Sequence, residues 1–428
     1  MKTKLLPIAI SACSLLLTIH TNAATNFVVH EWGTFTSVQG AKGNLLPWHS
    51  LQTSELPSFV YDWTKPGINR RSMAMFSKVV LETLQRMETP VIYFYADQPV
   101  NVDVDVAFPK GSITEWYPQA TQIGPSFVAD TNGSSAGILR ESRIIWRNLQ
   151  LVPEAQADNS IRTGLSQDAS GSHYFAARET AANFVRADFA TPTNHNTELE
   201  KFLFYRGAGS FNTPLRVAID SNNVVTVENT GAQLLAHLFL LSIHDGRGSF
   251  GVMDELSPSN SVTWLPLSTD NGEHWHQFSL PQFQTEIGAR MQAALISEGL
   301  FADEAKAMVN TWTDSWFTED GVRVLYLLPR PWTDETLPMT LNPQPNELTR
   351  VMVGRAEIIT PSVETNLFQL LTKAQNGDTD ARDQASAELK KLGRFAEPAL
   401  RLANAHATQT NILNFGYQLL YPPHATFE

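Results

Sequence analysis

The hydrophobic period of this chain changes once, near Leu280, and that change constrains the fold more than any other feature. From Asn26 to that point, short apolar runs alternate with period two between turn residues, as antiparallel strands do. Beyond it, apolar residues recur every three or four positions, as on helices that bury one face. The clearest alternation is Val100-Asn101-Val102-Asp103-Val104-Asp105-Val106, where the valines share one face and only that face can be buried. With residues 91–96 before it and 112–117 after the Pro109-Lys110-Gly111 turn, this stretch reads as a meander. Further strands are expected at 143–149, 174–178, 201–205 and 215–219.

Residues 224–267 read as a second, sandwich-like unit, because an alternating run passes through Asn229-Thr230-Gly231 into a strand-length apolar run. In the helical part, Phe283, Ile287, Met291 and Leu295 fall at i+4 spacing, and Gly299 stands where a C-terminal cap is wanted. The next helix opens with Asp303 and Glu304, favourable to its dipole, and carries a stripe of Ala305, Met308, Val309, Trp312 and Trp316. A buried strand at 322–328 and a proline-rich loop at 329–345 follow. From Pro361 onward the pattern is a small helical appendage.

The expected fold class is therefore α+β. Its N-terminal two-thirds is antiparallel β in sandwich-like units, followed by an α/β segment and a small C-terminal helical appendage. In residue numbers, this means a leader at 1–24, a β-rich domain at 25–220, a sandwich-like unit at 221–280, a helix-strand segment at 281–360 and the appendage at 361–428.

The leader is recognisable by charge and size. Lys2 and Lys4 precede an apolar run from Leu5, and the segment closes on Thr21-Asn22-Ala23-Ala24, small residues suited to a signal peptidase. Cleavage there would take the formal charge from −12 to −14, because Lys2 and Lys4 are the only charged residues removed. It would also remove the single cysteine, Cys13, so an exported chain has no disulfide, no thiolate nucleophile and no thiolate metal ligand. Ile10-Ser11-Ala12-Cys13 has a second reading, a lipoprotein box with an acylated cysteine, but the apolar stretch runs on past the cysteine. The acidic balance argues against nucleic acid as a partner, and no later run reaches the ~18 apolar residues of a membrane span.

The stretch Val29-His30-Glu31-Trp32-Gly33-Thr34-Phe35-Thr36-Ser37 resembles the opening of an uncharacterised family of exported bacterial proteins. The likeness continues at Ile92-Tyr93-Phe94-Tyr95, His173-Tyr174-Phe175-Ala176-Ala177-Arg178-Glu179-Thr180 and Lys201-Phe202-Leu203-Phe204-Tyr205-Arg206-Gly207, and at Thr311-Trp312 to Trp316-Phe317. It implies export and carries over no activity, fold or site residue. Separately, residues 382–402 resemble one helical pair of a HEAT-type repeat, which cannot bury its own face and must dock on the body or on a partner.

Three groups of residues could carry chemistry. Glu273-His274-Trp275-His276 places two histidines at i and i+2, which on a strand reach one ion from the same face, with His244 the nearest third ligand. Without cysteine, such a site would be nitrogen and oxygen only, suiting zinc, copper(II) or non-haem iron. His30 and Glu31 form the second group; alternation puts His30, Trp32 and Thr34 on one face and Glu31 on the other, so the two do not act as a local pair. The third is His173, Tyr174, Arg178 and Glu179, which strand alternation divides into His/Glu and Tyr/Arg pairs, the latter suited to a carboxylate or an enolate-like charge. Each group has a structural alternative: an exposed loop after Asp270-Asn271-Gly272 for the first, a histidine and tryptophan anchoring the first strand for the second, and an internal salt bridge with a core tyrosine for the third.

Asp103 and Asp105 could serve calcium but read more simply as the wet face of a strand, and His237 reads as a core histidine. Trp48, Trp63, Trp116 and Trp332 lie near Pro, Gly or charged residues, where a ring could stack on a flat ligand. Local signatures of nucleophile elbows, P-loops, dinucleotide sites and EF-hands are absent from the sequence. Two functions fit. One is an exported enzyme with a His/carboxylate site, metal-assisted or not, acting on a small molecule or polymer; the other is a non-enzymatic envelope protein that binds or assembles through its sheet and helical surfaces.

Overall fold

The computed structural model describes residues 26–51, 56–62, 81–124, 141–169, 171–190, 195–264, 277–407 and 412–421. In chain order the first half holds β1 (Val28–Gly40), β2 (Tyr61–Asp62), β3 (Gln85–Tyr95), β4 (Val100–Phe108), β5 (Gly111–Tyr117), β6 (Gln122–Gly124), β7 (Ser142–Val152), the short helix α1 (Asn159–Thr163), β8 (Phe184–Ala190), β9 (His195–Glu200) and β10 (Leu203–Gly209). Then come β11 (Leu215–Ile219), β12 (Val225–Asn229), β13 (Leu235–His244), β14 (Arg247–Leu256), β15 (Ser261–Trp264) and β16 (Phe278–Ser279). The mixed segment is α2 (Leu280–Ser297), α3 (Ala302–Phe317), β17 (Gly321–Leu328), α4 (Arg330–Thr336), β18 (Met339–Asn342) and β19 (Glu347–Ile359). Four helices close the described chain: α5 (Pro361–Gln375), α6 (Thr379–Leu392), α7 (Ala396–Ala405) and α8 (Ile412–Leu420).

The α+β class read from the period change is what the structure shows. Its backbone is a ten-stranded sheet in the order β16-β14-β13-β17-β19-β1-β3-β10-β5-β2. One face packs on two smaller sheets, β18-β4-β7-β8-β9 with β6 beside β7, and β11-β12-β15. There Val102, Val104 and Val106 of β4 are buried as their alternation requires, against Ile92, Phe94 and Leu203 of the large sheet. The other face is covered by α2 and α3, whose buried Phe283, Ile287, Met291, Met308, Trp312 and Trp316 include most of the expected stripes. Gly299, at φ +104°, ends α2 as a C-terminal cap glycine should. The four last helices form a third cluster over Val38 and Ile359, at the ends of β1 and β19.

Three sequence expectations change. The meander is not one: β3 and β5 both lie in the large sheet with β10 between them, while β4 crosses to the facing sheet. The sandwich-like unit at 221–280 is divided, since β12 and β15 join the small sheet but β13 and β14 continue the large one next to β17. Alternation says which face of a strand is buried and nothing about which neighbour it pairs with. Finally, the loop at 329–345 contains α4 and β18, with β18 completing the edge beside β4.

The central pair is β1 and β19, which run parallel in register from Val28 opposite Glu347 to Gly40 opposite Ile359. Both strands are almost wholly buried, yet β19 carries Arg350, Arg355 and Glu357. These charges broke the apolar run and hid the strand. A side chain at Gly354 would overlap the buried Tyr326 ring on the directly opposed β17, so glycine is required there for close approach.

Candidate functional site

The alternation read at His30 and Glu31 holds, and it separates them. His30 is fully buried and its Nδ1 lies 2.7 Å from Glu304 Oε2 in the first turn of α3. The same carboxylate accepts from the Phe301 backbone N–H at 2.8 Å, capping the helix, and from the Tyr95 hydroxyl at 2.7 Å. Burial, with Glu304 beside it, pushes the Tyr95 phenol far above its ordinary range. Nε2 of His30 has no hydrogen-bond partner among the described residues, and Glu347 Oε1 lies 4.0 Å away. Glu31 points the other way, accepting from Arg350 Nε at 2.6 Å and from the Tyr205 hydroxyl, all three side chains buried. Its role is to neutralise a buried arginine.

The segment around His173 differs from the expected strand. Residues His173–Arg178 form a 3-10 turn, capped where the Ser172 hydroxyl accepts from the Tyr174 backbone N–H at 3.2 Å, so side chains follow a period of three. Glu179 is exposed at the turn's end. Tyr174 and Arg178 do meet, on the buried Glu200: Arg178 donates from Nε at 2.8 Å and Nη2 at 2.7 Å, and Tyr174 from its hydroxyl at 3.1 Å. That carboxylate already occupies the place a substrate would need. Burial pushes the Glu200 carboxyl up, against the pull of Arg178.

His173 leads elsewhere. Its ring lies 5.6 Å from that of Trp312 and lines a cavity of about 110 Å³ with Arg86, Glu88, Arg206, Ser315, Glu319 and Arg394. The large sheet, the helices on it and the appendage all contribute: β3 supplies Arg86 and Glu88, β10 supplies Arg206, α3 supplies Trp312 and Ser315, and the turn between α6 and α7 supplies Arg394. Arg86, Glu88 and Arg206 are each under 5% exposed. Arg394 donates from Nη1 to Glu88 Oε1 at 2.7 Å, and its guanidinium stands over the Phe395 and Trp48 rings. Burial, then the neighbouring Arg206 charge, lowers the Arg86 guanidinium to about 9. Burial alone would raise the Glu88 carboxyl, but Arg394, Arg86 and Arg206 together hold it down at about 2.

The wall is rich in unmet donors. Among the described residues, Nε and Nη1 of Arg206, Nε and Nη2 of Arg394 and the Trp312 indole N–H meet no acceptor. Buried donors are rarely left this way without a reason. Arginines scattered over positions 86, 206 and 394 leave no motif. A charge inside an otherwise apolar strand run, as in Phe204-Tyr205-Arg206-Gly207, was the available signal.

One potential metal-ligand group stands out among the described residues: His49, Glu82 and Glu397, with ligand atoms within 4.8 Å of one another. His49 Nε2 lies 3.1 Å from Glu397 Oε2, but Arg401 also donates to both carboxylates and the Tyr417 hydroxyl reaches Glu397 at 2.6 Å. The guanidinium supplies the positive charge an ion would bring, so the cluster is a latch between the β body and the helical appendage. The hydrogen bond to Glu397 raises the His49 imidazole above its ordinary value. A raised folded value stabilises fully below the unfolded pKa of about 6.5 and fades as pH rises through the folded one. The stability gap between wild type and His49→Gln, measured by urea unfolding, is therefore expected to be larger in mildly acidic buffer than in alkaline buffer.

His244 is exposed at the end of β13, in the hairpin turned by Asp245 and Gly246, while His274 and His276 lie outside the described residues, as do Cys13 and Trp63. Asp105 is gripped by Arg143 and Asp103 accepts from Arg147 at 3.3 Å, so arginine rather than calcium faces this pair. His237 is half-buried at a positive-φ irregularity in β13, 3.2 Å from the Ser297 hydroxyl, and is not a core residue. Trp48 and Trp116 are fully buried, and Trp332 packs edge-on against Phe35, which removes the first two as ligand platforms.

No family model matches the chain, and no curated protein matches it. Among solved structures, the yeast delta-COP-I mu-homology domain aligns with 78% of this chain and 97% of its own, at 6% identity and a TM-score of 0.23. The same domain complexed with a Dsl1 WxWxV peptide gives the same values. Superposition at that level assigns neither fold nor function.

Proposed function

We propose that this is an exported protein that binds a small anion in the cavity formed by Arg86, Arg206 and Arg394. The carrying observation is Arg206: a guanidinium on a buried side chain, lining a cavity, with two N–H groups that meet no acceptor among the described residues. Buried donors left without acceptors cost free energy, and a ligand that supplies acceptors recovers that cost on binding.

Thermal unfolding with phosphate, sulfate, malonate and citrate tests this. An anion at about 100 times its Kd adds about 2.7 kcal/mol of stability. Arg206→Met is expected to abolish that response, at some cost to the ligand-free protein because the buried Glu88 loses one of the cations that hold it ionised. A purely structural arginine would leave the anion response intact. Loss of stability in Arg206→Met without anion, with the anion response intact, overturns the proposal.

Catalysis by a His/carboxylate pair is a second reading, favoured by one observation: His30 is oriented by Glu304 through Nδ1, and its Nε2 has no hydrogen-bond partner among the described residues. A substrate proton or a transition metal with nitrogen and oxygen ligands would be the missing partner. Metal analysis after reconstitution of wild type and His30→Gln decides the metal form of it. A stoichiometric ion lost in the variant supports it, and no retained ion in wild type sinks it.

A further inference from the structure

Resting on the anion-binding reading, we infer that the Arg86/Arg206/Arg394 cavity selects a tetrahedral dianion that still carries a proton, inorganic phosphate, over dianions that carry none. Size narrows the ligand first. A space of about 110 Å³ suits an ion of a few heavy atoms. Charge narrows it next. Arg86, Arg206 and Arg394 face Glu88, with Glu115 also acting on Arg86 and Glu319 held by Arg355 Nη2 at 2.8 Å, which leaves the wall net positive and suited to an anion.

The carboxylate supplies the selectivity. Glu88 is buried in the same wall and its arginine neighbours keep it ionised, so it can only accept. An anion seated against it must donate a hydrogen bond or face a like charge in a poorly solvated space. At a pH of about 8, inorganic phosphate is a dianion with one hydroxyl, and arsenate is the same; sulfate and a phosphomonoester, whose second pKa is about 6, have no proton to give. Arg206, Arg394, the Trp312 indole and the Ser315 hydroxyl are placed to donate to the remaining oxygens.

Calorimetric titration of the full chain at that pH with phosphate, arsenate, sulfate, methyl phosphate and malonate tests the inference. Phosphate and arsenate are expected to bind about tenfold or more tighter than sulfate and methyl phosphate. In Glu88→Gln, whose amide can donate as well as accept, most of that gap should close. Equal binding of phosphate and sulfate, or binding of malonate alone, overturns the selectivity while leaving the anion-binding reading intact. No binding by any of the five removes both. Should Glu88→Gln fail to fold, the wild-type comparison of arsenate and phosphate against sulfate and methyl phosphate still decides, because it needs no variant.

Discussion

Glu357→Ala is expected to cost about 3–5 kcal/mol, the loss typical of removing one partner from a buried ion pair, and that is enough to unfold many domains. Glu357 is 3% exposed and holds two arginines that are themselves buried. Arg323 donates to its Oε2 from Nε at 3.0 Å, and Arg355 from Nη2 at 2.8 Å. Arg323 spends its other donors on the carbonyls of Trp316, Glu319 and Asp320, stitching the end of α3 to β17. With the carboxylate gone, two guanidiniums remain in the same buried space and repel each other; only Arg355 keeps a carboxylate, Glu319. Urea unfolding checks this. Glu357→Gln should lose less, since its amide oxygen still accepts, and a loss below about 1 kcal/mol in Glu357→Ala would mean Glu319 serves both arginines.

Trp316→Ala should be similarly damaging, about 3–5 kcal/mol, by a different route. Its ring is fully buried between α3 and the large sheet, stacked on Trp312 at 6.1 Å and 16° and set edge-on to Phe317. Truncation leaves a cavity that a packed helix–sheet layer cannot collapse into. Because Trp312 lines the anion cavity, the variant should also show a weaker stabilisation by anion than wild type. Chemical unfolding with and without phosphate measures both effects. Trp316→Phe, which keeps an aromatic ring in place, should lose less, and an unchanged anion response in Trp316→Ala would separate the tryptophan stack from the cavity.

Much of the local structure was legible because its signals are local. Leu215–Ile219, the buried stripe of α2 and the first turn of α3 lie where alternation, periodicity and charge placed them. Glu347–Ile359 was not legible, because Arg350, Arg355 and Glu357 interrupt its apolar run and pattern reading treats charge as exposure. Each of those charges is neutralised by a residue remote in sequence or on a neighbouring strand. His173–Arg178 was read as a strand for another reason: Ser172 caps a 3-10 segment of six residues, too short for its period to be told from alternation. For the candidate sites, sequence reading placed His30 and Glu31 on opposite faces and singled out His173 and Arg178, while the contact of His173 with Trp312 came only from the tertiary structure.

From the sequence alone follow the α+β class, the faces that strands and helices bury, and, on the expectation of export, a chain restricted to nitrogen and oxygen chemistry. These are properties of residues and their near neighbours, written in the chain at periods of two and 3.6. Which sheet each strand joins, and that Arg86, Arg206 and Arg394 converge on one cavity with His173 and Trp312, only the tertiary structure decided. The physical reason is that a buried charge is tolerated through partners brought from far along the chain, and no local pattern records them.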